Sequence, residues 1–371
     1  MSPKQMPTIL LIDDEDTDLA AKLRPASKKH ARIKALHPRD VELKDLSWAN
    51  LVLVDFKLDS WSDRDNLECI SLKPRDGLAL AAVLRRQLEN EKGTSPTAFA
   101  IYTGQIQNLA GPLPPENRNH ALARINNLEW VFEKGKTISA QLVSLAKAVD
   151  KLPQSWLSRG QRERLTELLN INTNGKEADQ LLQDVEMCLP PIHELSEWSH
   201  GLAIVRWLLH RILPYPCFLW DSYYLAARLR VDHRTLITNN RLQKHLQTCL
   251  YKGILADFLG PRWWRSKVEL LLWEQTNGSS SDVKEVQRLV SRIAKIQSDD
   301  SFPTHPIVCI DSDYMPLETL SSSENAVRIQ PDDWPAYADQ AWTTTDLAKT
   351  NARLGSLVIR EDQAKIKRTS H

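Results

Sequence analysis

Residues 8–14 read TILLIDD, a five-residue apolar run that ends in two carboxylates. Similar short apolar runs occur at Leu51–Val54, Ala98–Tyr102 and Trp130–Phe132. Near-continuous apolar runs of this length are typical of strands buried on both faces of a parallel sheet. The first 150 residues therefore predict a parallel sheet whose first strand ends at the acidic pair.

Amphipathic stretches separate several of these runs. Asp76–Asn90 and Thr137–Lys151 carry leucine, alanine and valine at helical spacing. Strands that alternate with helices indicate βαβ units and a doubly wound α/β sheet. In sheets of this kind ligands bind at the carboxyl ends of the strands.

The predicted strand ends carry residues whose chemistry fits a single site. The first run ends at Asp13 and Asp14, the second at Asp55, the third at Thr103 and the last at Lys134. Several carboxylates at one edge of a sheet favour a hard divalent cation with oxygen ligands, such as Mg²⁺. A threonine hydroxyl and a lysine ammonium at the same edge can bind the oxygens of a phosphoryl group.

This set, in this order, resembles the receiver domain of bacterial response regulators. The resemblance covers residues 1–150 and implies the flavodoxin-like fold, with Asp55 as the acceptor of a phosphoryl group from a sensor histidine kinase or a small phosphodonor. It also implies that Thr103 and Lys134 bind the phosphoryl group. The implied Mg²⁺ ligands are Asp13, Asp14, Asp55 and the backbone carbonyl of Lys57.

Three features depart from the family pattern. Asp55 and Asp76 are separated by a long loop that includes the insertion SWSDRDNLECISLKP (60–74). Gly135 stands where the family usually has a proline, and Val131 stands where it usually has an aromatic residue. These departures leave open a pseudo-receiver, a scaffold that keeps the fold and is not phosphorylated.

Composition gives no global sign of a nucleic-acid or membrane partner. Lys plus Arg (48) and Asp plus Glu (47) nearly cancel. No stretch approaches the roughly 18 apolar residues that a transmembrane helix needs. The five cysteines are scattered, as expected for reduced thiols in a cytoplasmic protein.

The remaining two-thirds of the chain predicts a mainly helical region and a small C-terminal α/β segment. The predicted domains are 1–150, 151–275 and 276–371, and the last contains strand-like runs at 306–310 and 357–359. No motif of an enzymatic output is present, and the pair Asp311 and Asp313 is too common a pattern to indicate one. The leading hypothesis for the output is therefore a protein partner or self-association.

A basic segment supplies the rival hypothesis. Residues 206–267 contain eleven Lys or Arg against three acids. Within them, residues 223–246 resemble a helix-turn-helix whose second helix, 234–246, would enter the major groove of DNA. The residues available to contact the bases would be Arg234, Asn239 and Arg241.

Overall fold

The computed structural model describes residues 6–15, 30–62, 64, 74–91, 95–110, 118–153, 161–175, 177–189, 201–296, 303 and 305–367. The chain forms two compact units whose segments alternate along the sequence. The first unit comprises Met1–Asn170, Pro190–Pro214 and Gly253–Leu259, and the second comprises Ile171–Leu189, Tyr215–Lys252 and Gly260–His371. The ranges 1–150, 151–275 and 276–371 stay predictions for domains that fold on their own.

The first unit is built on a five-stranded parallel sheet. Its strands are β1 (Thr8–Ile12), β2 (Arg32–Leu36), β3 (Leu51–Asp55), β4 (Ala98–Thr103) and β5 (Trp130–Glu133). They lie in the order β2-β1-β3-β4-β5. This is the flavodoxin-like order of a doubly wound sheet, so the predicted fold class is confirmed.

Strand β2 has no counterpart in the sequence prediction. Its residues, RIKAL, are exposed or half-buried, whereas β1 and β3 are buried along their whole length. It pairs with β1 at an edge of the sheet. An edge strand tolerates Arg32 and Lys34, and those two residues break the apolar run by which the other strands were recognised.

The helices of the described residues are, in chain order, α1 (Leu43–Trp48), α2 (Gly77–Asn90), α3 (Asn119–Ile125), α4 (Ser139–Asp150), α5 (Gln161–Leu169), α6 (Ala178–Glu186), α7 (Leu202–Trp207), α8 (Ser222–Leu229), α9 (His233–Thr238), α10 (Asn240–His245), α11 (Arg265–Gln275), α12 (Val283–Ala294), α13 (Thr345–Thr350), α14 (Ala352–Ser356) and α15 (Gln363–Lys367). A π-helical turn, Leu208–Ile212, continues α7.

Helices α2 and α4 match the two predicted amphipathic stretches, and Asp76 caps α2 by accepting a hydrogen bond from the Ala79 amide at 3.0 Å. The prediction of a mainly helical region after the sheet is confirmed.

The second unit contains two short antiparallel pairs of strands. Strands β6 (Leu219–Trp220) and β7 (Trp263–Trp264) place both residues of the Trp263–Trp264 pair in the core, each 2% exposed. Strands β8 (Ala326–Arg328) and β9 (Trp342–Thr344) form the other pair.

Two strand predictions in this unit are wrong. Residues 306–310 make only isolated bridges, from Ile307 to Ser321 and from Ile310 to Pro316. Residues 357–359 likewise contribute only a bridge between Val358 and Ile329. Each run contributes a residue to the core, Ile310 and Val358, but too few consecutive residues pair to form a strand.

The predicted recognition helix of the helix-turn-helix is also wrong. Residues 234–246 do not form one helix, because the backbone leaves the helical conformation at Asn239 with φ −84° and ψ 98°. Asn239 ends α9 and caps α10, its side chain accepting from the amides of Arg241 and Leu242. Two helices of six residues each replace the predicted recognition helix.

Candidate functional site

The register of the parallel sheet brings three carboxylates together at its carboxyl edge. Ile12 of β1 pairs with Val54 of β3, so the next residues along these strands, Asp13 and Asp55, are neighbours. One carboxylate oxygen from each of Asp13, Asp14 and Asp55 lies within 4.8 Å of the others. The sequence predicted these three residues as neighbours.

The acidic cluster fits an oxygen-liganded divalent cation. Asp14 is 8% exposed, and its Oδ2 is buried with no hydrogen-bond partner among the described residues. An unpaired buried carboxylate oxygen is costly unless a cation or a hydrogen bond compensates it. The donor set is entirely oxygen, which suits Mg²⁺ rather than a softer metal.

Burial shifts the protonation of the cluster. Desolvation raises the pKa of Asp55 to about 6, and the charge of Asp13 adds to the rise while Lys134 opposes it. Desolvation likewise raises the pKa of Asp13, with the charges of Asp14 and Glu15 adding to it. Like charges in a poorly solvated place are strained, and a bound cation would relieve that strain.

Lys134 and Thr103 complete the rim of the site. The Lys134 ammonium lies 2.8 Å from Oδ1 of Asp55. Burial opposes the ammonium charge, yet the hydrogen bond and charge of Asp55 outweigh it and raise the pKa of Lys134. Thr103, the last residue of β4, is 2% exposed, and its carbonyl accepts a hydrogen bond from the Lys134 amide at 2.7 Å. The five strand-end residues that the sequence singled out therefore meet at one edge of the sheet.

Gly77 fixes the backbone of Asp55. The Gly77 amide donates to the carbonyl of Phe56 at 2.9 Å. A Cβ on Gly77 would lie 2.0 Å from the carbonyl oxygen of Asp55, closer than any side chain allows. The Asp76-Gly77 pair therefore has two roles, since aspartate caps α2 and glycine lets the helix start against the acceptor residue.

The loop after Asp55 is anchored near the site. Leu58 and Trp61 are buried, 1% and 6% exposed, in the core of the sheet. Ser60 donates a hydrogen bond to Glu15 at 3.3 Å, which links this loop to the one after β1. Lys57 has an exposed side chain, and the role expected for its carbonyl stays a prediction. Most of the insertion 60–74 lies outside the described residues.

Segment 253–259 packs on β5, a contact that the sequence did not predict. The Phe258 ring lies 4.9 Å from the Trp130 ring and 6.3 Å from the Phe132 ring, in edge-on geometry. Gln141 of α4 donates to the carbonyl of Phe258 at 2.9 Å. No local pattern marks Phe258, because it lies 126 residues beyond Phe132 and only the fold brings them together.

A buried ion network lies before β5, at the amino end of that strand. Glu129 is fully buried and is bound by Arg85 through both its oxygens, at 3.2 and 2.9 Å, and by Arg206 at 2.6 Å. Burial alone would raise the pKa of Glu129, but the two arginines outweigh it and lower the pKa to about 2. Nε2 of His210 donates to the Glu129 carbonyl at 2.9 Å, and burial lowers the pKa of His210 to about 4. The network fastens residues 206–210 to the sheet.

The residues expected to contact DNA differ in exposure and in the contacts that they make. Arg234 and Arg241 are exposed, but they lie on different short helices. Asn239 is half-buried, and its amide donates to the carbonyl of Ala294 at 3.0 Å. Asn239 therefore has a structural role as a cap.

The carboxylate of Asp311 is used by its own turn. Its Oδ1 accepts from the amides of Asp313 and Met315, each at 2.9 Å. These two hydrogen bonds give Asp311 a structural role in the turn.

Comparisons with known proteins assign no family to this chain. No protein-family model and no curated protein matches the chain. The structural comparison matched the response regulator ChrA of a heme-sensing two-component system, at 15% identity and a TM-score of 0.25. That match covers 64% of this chain and 98% of the other. Among the described residues, no helix has the length and apolar character to cross a membrane.

Proposed function

We propose that this protein is a two-component response regulator whose first unit accepts a phosphoryl group on Asp55. The observation that carries the proposal is the juxtaposition of a buried Asp55 with Asp13, Asp14 and Lys134 at the carboxyl edge of a β2-β1-β3-β4-β5 sheet. The phosphodonor would be a sensor histidine kinase or a small acyl phosphate.

Asp55 would act as a nucleophile. A carboxylate oxygen attacks phosphorus and forms a new P–O bond, while the bond from phosphorus to the donor nitrogen or acyl oxygen breaks and its electron pair leaves with the donor. The pKa of Asp55, about 6, leaves the carboxylate mostly ionised at neutral pH. Burial removes much of its hydration, so little solvent must be displaced before attack.

The neighbouring residues would hold the phosphoryl oxygens. Lys134 already lies 2.8 Å from Asp55 and can move its ammonium onto the new group. The hydroxyl of Thr103 stands at the next strand end and can donate to a second oxygen. Mg²⁺, held by Asp13, Asp14 and Asp55 with a carbonyl from Lys57, would neutralise charge on the transferring group.

The output would act through protein interaction or assembly. The phosphoryl group adds negative charge and acceptor oxygens at one edge of the sheet, which biases the nearby loops toward a second arrangement. We expect that change to reach the surface formed by β5 and α4, since Lys134 joins the two elements.

The test is transfer from acetyl phosphate to the full chain with and without Mg²⁺. Phosphorylated protein is resolved by phosphate-affinity electrophoresis for wild type, Asp55→Asn and Asp59→Asn. Asp59 is an exposed acid in the same loop and serves as the matched control. We expect Mg²⁺-dependent labelling of wild type and Asp59→Asn only. Equal behaviour of wild type and Asp55→Asn would reduce the first unit to a pseudo-receiver.

DNA binding stays a rival because Arg234 and Arg241 are exposed in a basic part of the chain. Binding through phosphate contacts would fall steeply with salt. A gel shift of the full chain on duplex DNA at low and physiological salt distinguishes DNA binding from protein interaction as the output. The measurement is repeated with Arg234→Ala and Arg241→Ala. Absence of binding at low salt would exclude the DNA-binding alternative.

A further inference from the structure

The surface of β5 is occupied by a later part of the same chain. Trp130 and Phe132 lie two residues apart in β5 and so share one face of the strand. Both side chains are buried, 4% and 1% exposed, and both meet the ring of Phe258. Lys134 holds the next position in the same alternation and contacts Asp55 directly.

Segment 253–259 also forms hydrogen bonds with residues that follow Lys134 in the sequence. Gln141 in α4 donates its side-chain amide to the Phe258 carbonyl at 2.9 Å. The amide of Ile254 donates to the carbonyl of Leu168 at 2.8 Å, just before the end of α5. Segment 253–259 is thus fastened both to β5, which precedes Lys134, and to α4, which follows it.

A glycine in the left-handed conformation occupies the turn between β5 and α4. Gly135 follows Lys134 with φ +89°, and no atom lies within 4 Å of where its Cβ would be. A backbone shift that accompanied movement of Lys134 toward phosphoryl oxygens would act on the end of β5 and the start of α4. These are the two elements that contact Phe258.

We infer that segment 253–259, through Phe258, reads the phosphorylation state of Asp55, an inference that rests on the proposed function. The chain continues from this segment into the second unit on both sides, where the Tyr251 amide donates to the Arg262 carbonyl at 2.8 Å. A conformational change in this segment would therefore pass from the first unit to the second through the backbone.

The experiment is hydrogen exchange by mass spectrometry on the full chain. Exchange is compared without additions, with Mg²⁺, and with Mg²⁺ plus beryllofluoride, an analogue of the phosphoryl group. In wild type we expect the amides of 253–259 to change exchange rate at least several-fold on addition of beryllofluoride. The same comparison is made for Phe258→Leu, which keeps an apolar side chain, and for Phe258→Ala, which removes the ring.

Linkage between the two sites gives a second readout. If occupancy of the Asp55 site changes the free energy of the Phe258 contacts, removing the ring must change the affinity for beryllofluoride. We expect a change of at least two-fold for Phe258→Ala and a smaller one for Phe258→Leu. If Phe258→Ala does not fold, Gln141→Ala, which removes only the hydrogen bond to the segment, replaces it.

The possible failures are distinguishable. Unchanged exchange at 253–259, together with normal phosphorylation of Asp55 from acetyl phosphate, would overturn the inference and leave the proposed function intact. Equal beryllofluoride affinity in wild type and the Phe258 variants would also overturn the inference and leave the proposed function intact. A wild type that neither takes a phosphoryl group nor binds beryllofluoride would overturn both.

Discussion

Burial suits Asp55 for phosphoryl transfer but lowers the stability of the folded protein. A buried carboxylate with a raised pKa costs folding free energy at neutral pH, because the unfolded chain ionises it more easily. Lys134 offsets part of that cost, and a cation in the cluster would offset more. The residue best placed for phosphoryl transfer is thus a destabilising one.

This conflict predicts that Asp55→Asn stabilises the protein in buffer free of divalent cations. The pKa rises from 3.8 to about 6 on folding. The folding free-energy cost of the buried carboxylate is absent below pH 3.8 and grows between pH 3.8 and about 6. It reaches its full value above about pH 6. At about 1.4 kcal/mol for each pH unit, the free energy of unfolding should rise by up to about 3 kcal/mol at pH 7.

Thermal unfolding at pH 7 and pH 4 measures this effect, with Asp59→Asn as the control. A melting temperature that rises at pH 7 and hardly changes at pH 4 is the expected pattern. An equal rise at both pH values would show that the charge is not the cause.

Gly77 is the other residue on which the acceptor depends. An added Cβ would lie 2.0 Å from the Asp55 carbonyl oxygen, so the backbone of one of them must shift. We predict that Gly77→Ala lowers the free energy of unfolding by about 1–3 kcal/mol and slows phosphorylation of Asp55. Gly104→Ala is the matched control, because its Cβ would meet only the Lys134 side chain at 3.7 Å. Denaturant unfolding of both variants that gave equal losses would contradict the steric explanation.

At the scale of elements, the buried network of Glu129 predicts sensitivity to acid. Burial on folding lowers the pKa of His210 from 6.5 to about 4. The neutral form is thus favoured by folding, and stability is lost as the pH falls from 6.5 to 4. The loss is on the order of 3 kcal/mol at about 1.4 kcal/mol per unit. Glu129 adds a second loss at lower pH, between 4.5 and about 2.

His210→Gln should flatten the pH dependence of stability between 6.5 and 4. The glutamine amide can still donate to the Glu129 carbonyl but takes no proton. The free energy of unfolding is measured by urea at intervals of pH, with His37→Gln as the control. An unchanged slope in His210→Gln would mean that the acid sensitivity arises elsewhere.

Some of the strands and helices can be predicted from the sequence, and others cannot. The central strands and α2 were predictable, because burial on both faces and an aspartate cap leave strong local signals. Strand β2 was not, because an edge position admits Arg32 and Lys34. The break at Asn239 was missed, since asparagine at a helix start looks locally like asparagine within a polar helix.

The same contrast holds for the site. Its residues come from strand ends, where type and order are visible along the chain. Gly77 was visible as half of an Asp-Gly pair, although its contact with Asp55 was not. Phe258 and Arg206 gave no signal, because their roles depend on contacts between residues far apart in sequence.

At the scale of the whole molecule, the first unit is completed by later parts of the chain. Arg206 supplies one of the two cations that compensate the buried Glu129, and Phe258 covers Trp130 and Phe132. A buried carboxylate that loses one of its partners is strongly destabilising, and exposed aromatic side chains promote association. The first unit therefore includes Pro190–Pro214 and Gly253–Leu259.

A fragment of residues 1–150 is therefore expected to be much less stable than the first unit within the full chain. We predict a lower melting temperature and binding of an apolar dye, measured by circular dichroism and dye fluorescence beside the full-length protein. A fragment that melts cooperatively at the temperature of the full chain would show that residues 201–214 and 253–259 are dispensable.

The central claim is that Asp55 is the phosphoryl acceptor, and chemical trapping tests it most directly. The full chain is treated with acetyl phosphate and Mg²⁺, reduced with borohydride to convert the acyl phosphate to a stable alcohol, and digested for mass spectrometry. The expected result is one reduced residue, at position 55, and none in Asp55→Asn. Reduction at another aspartate, or at none, would contradict it.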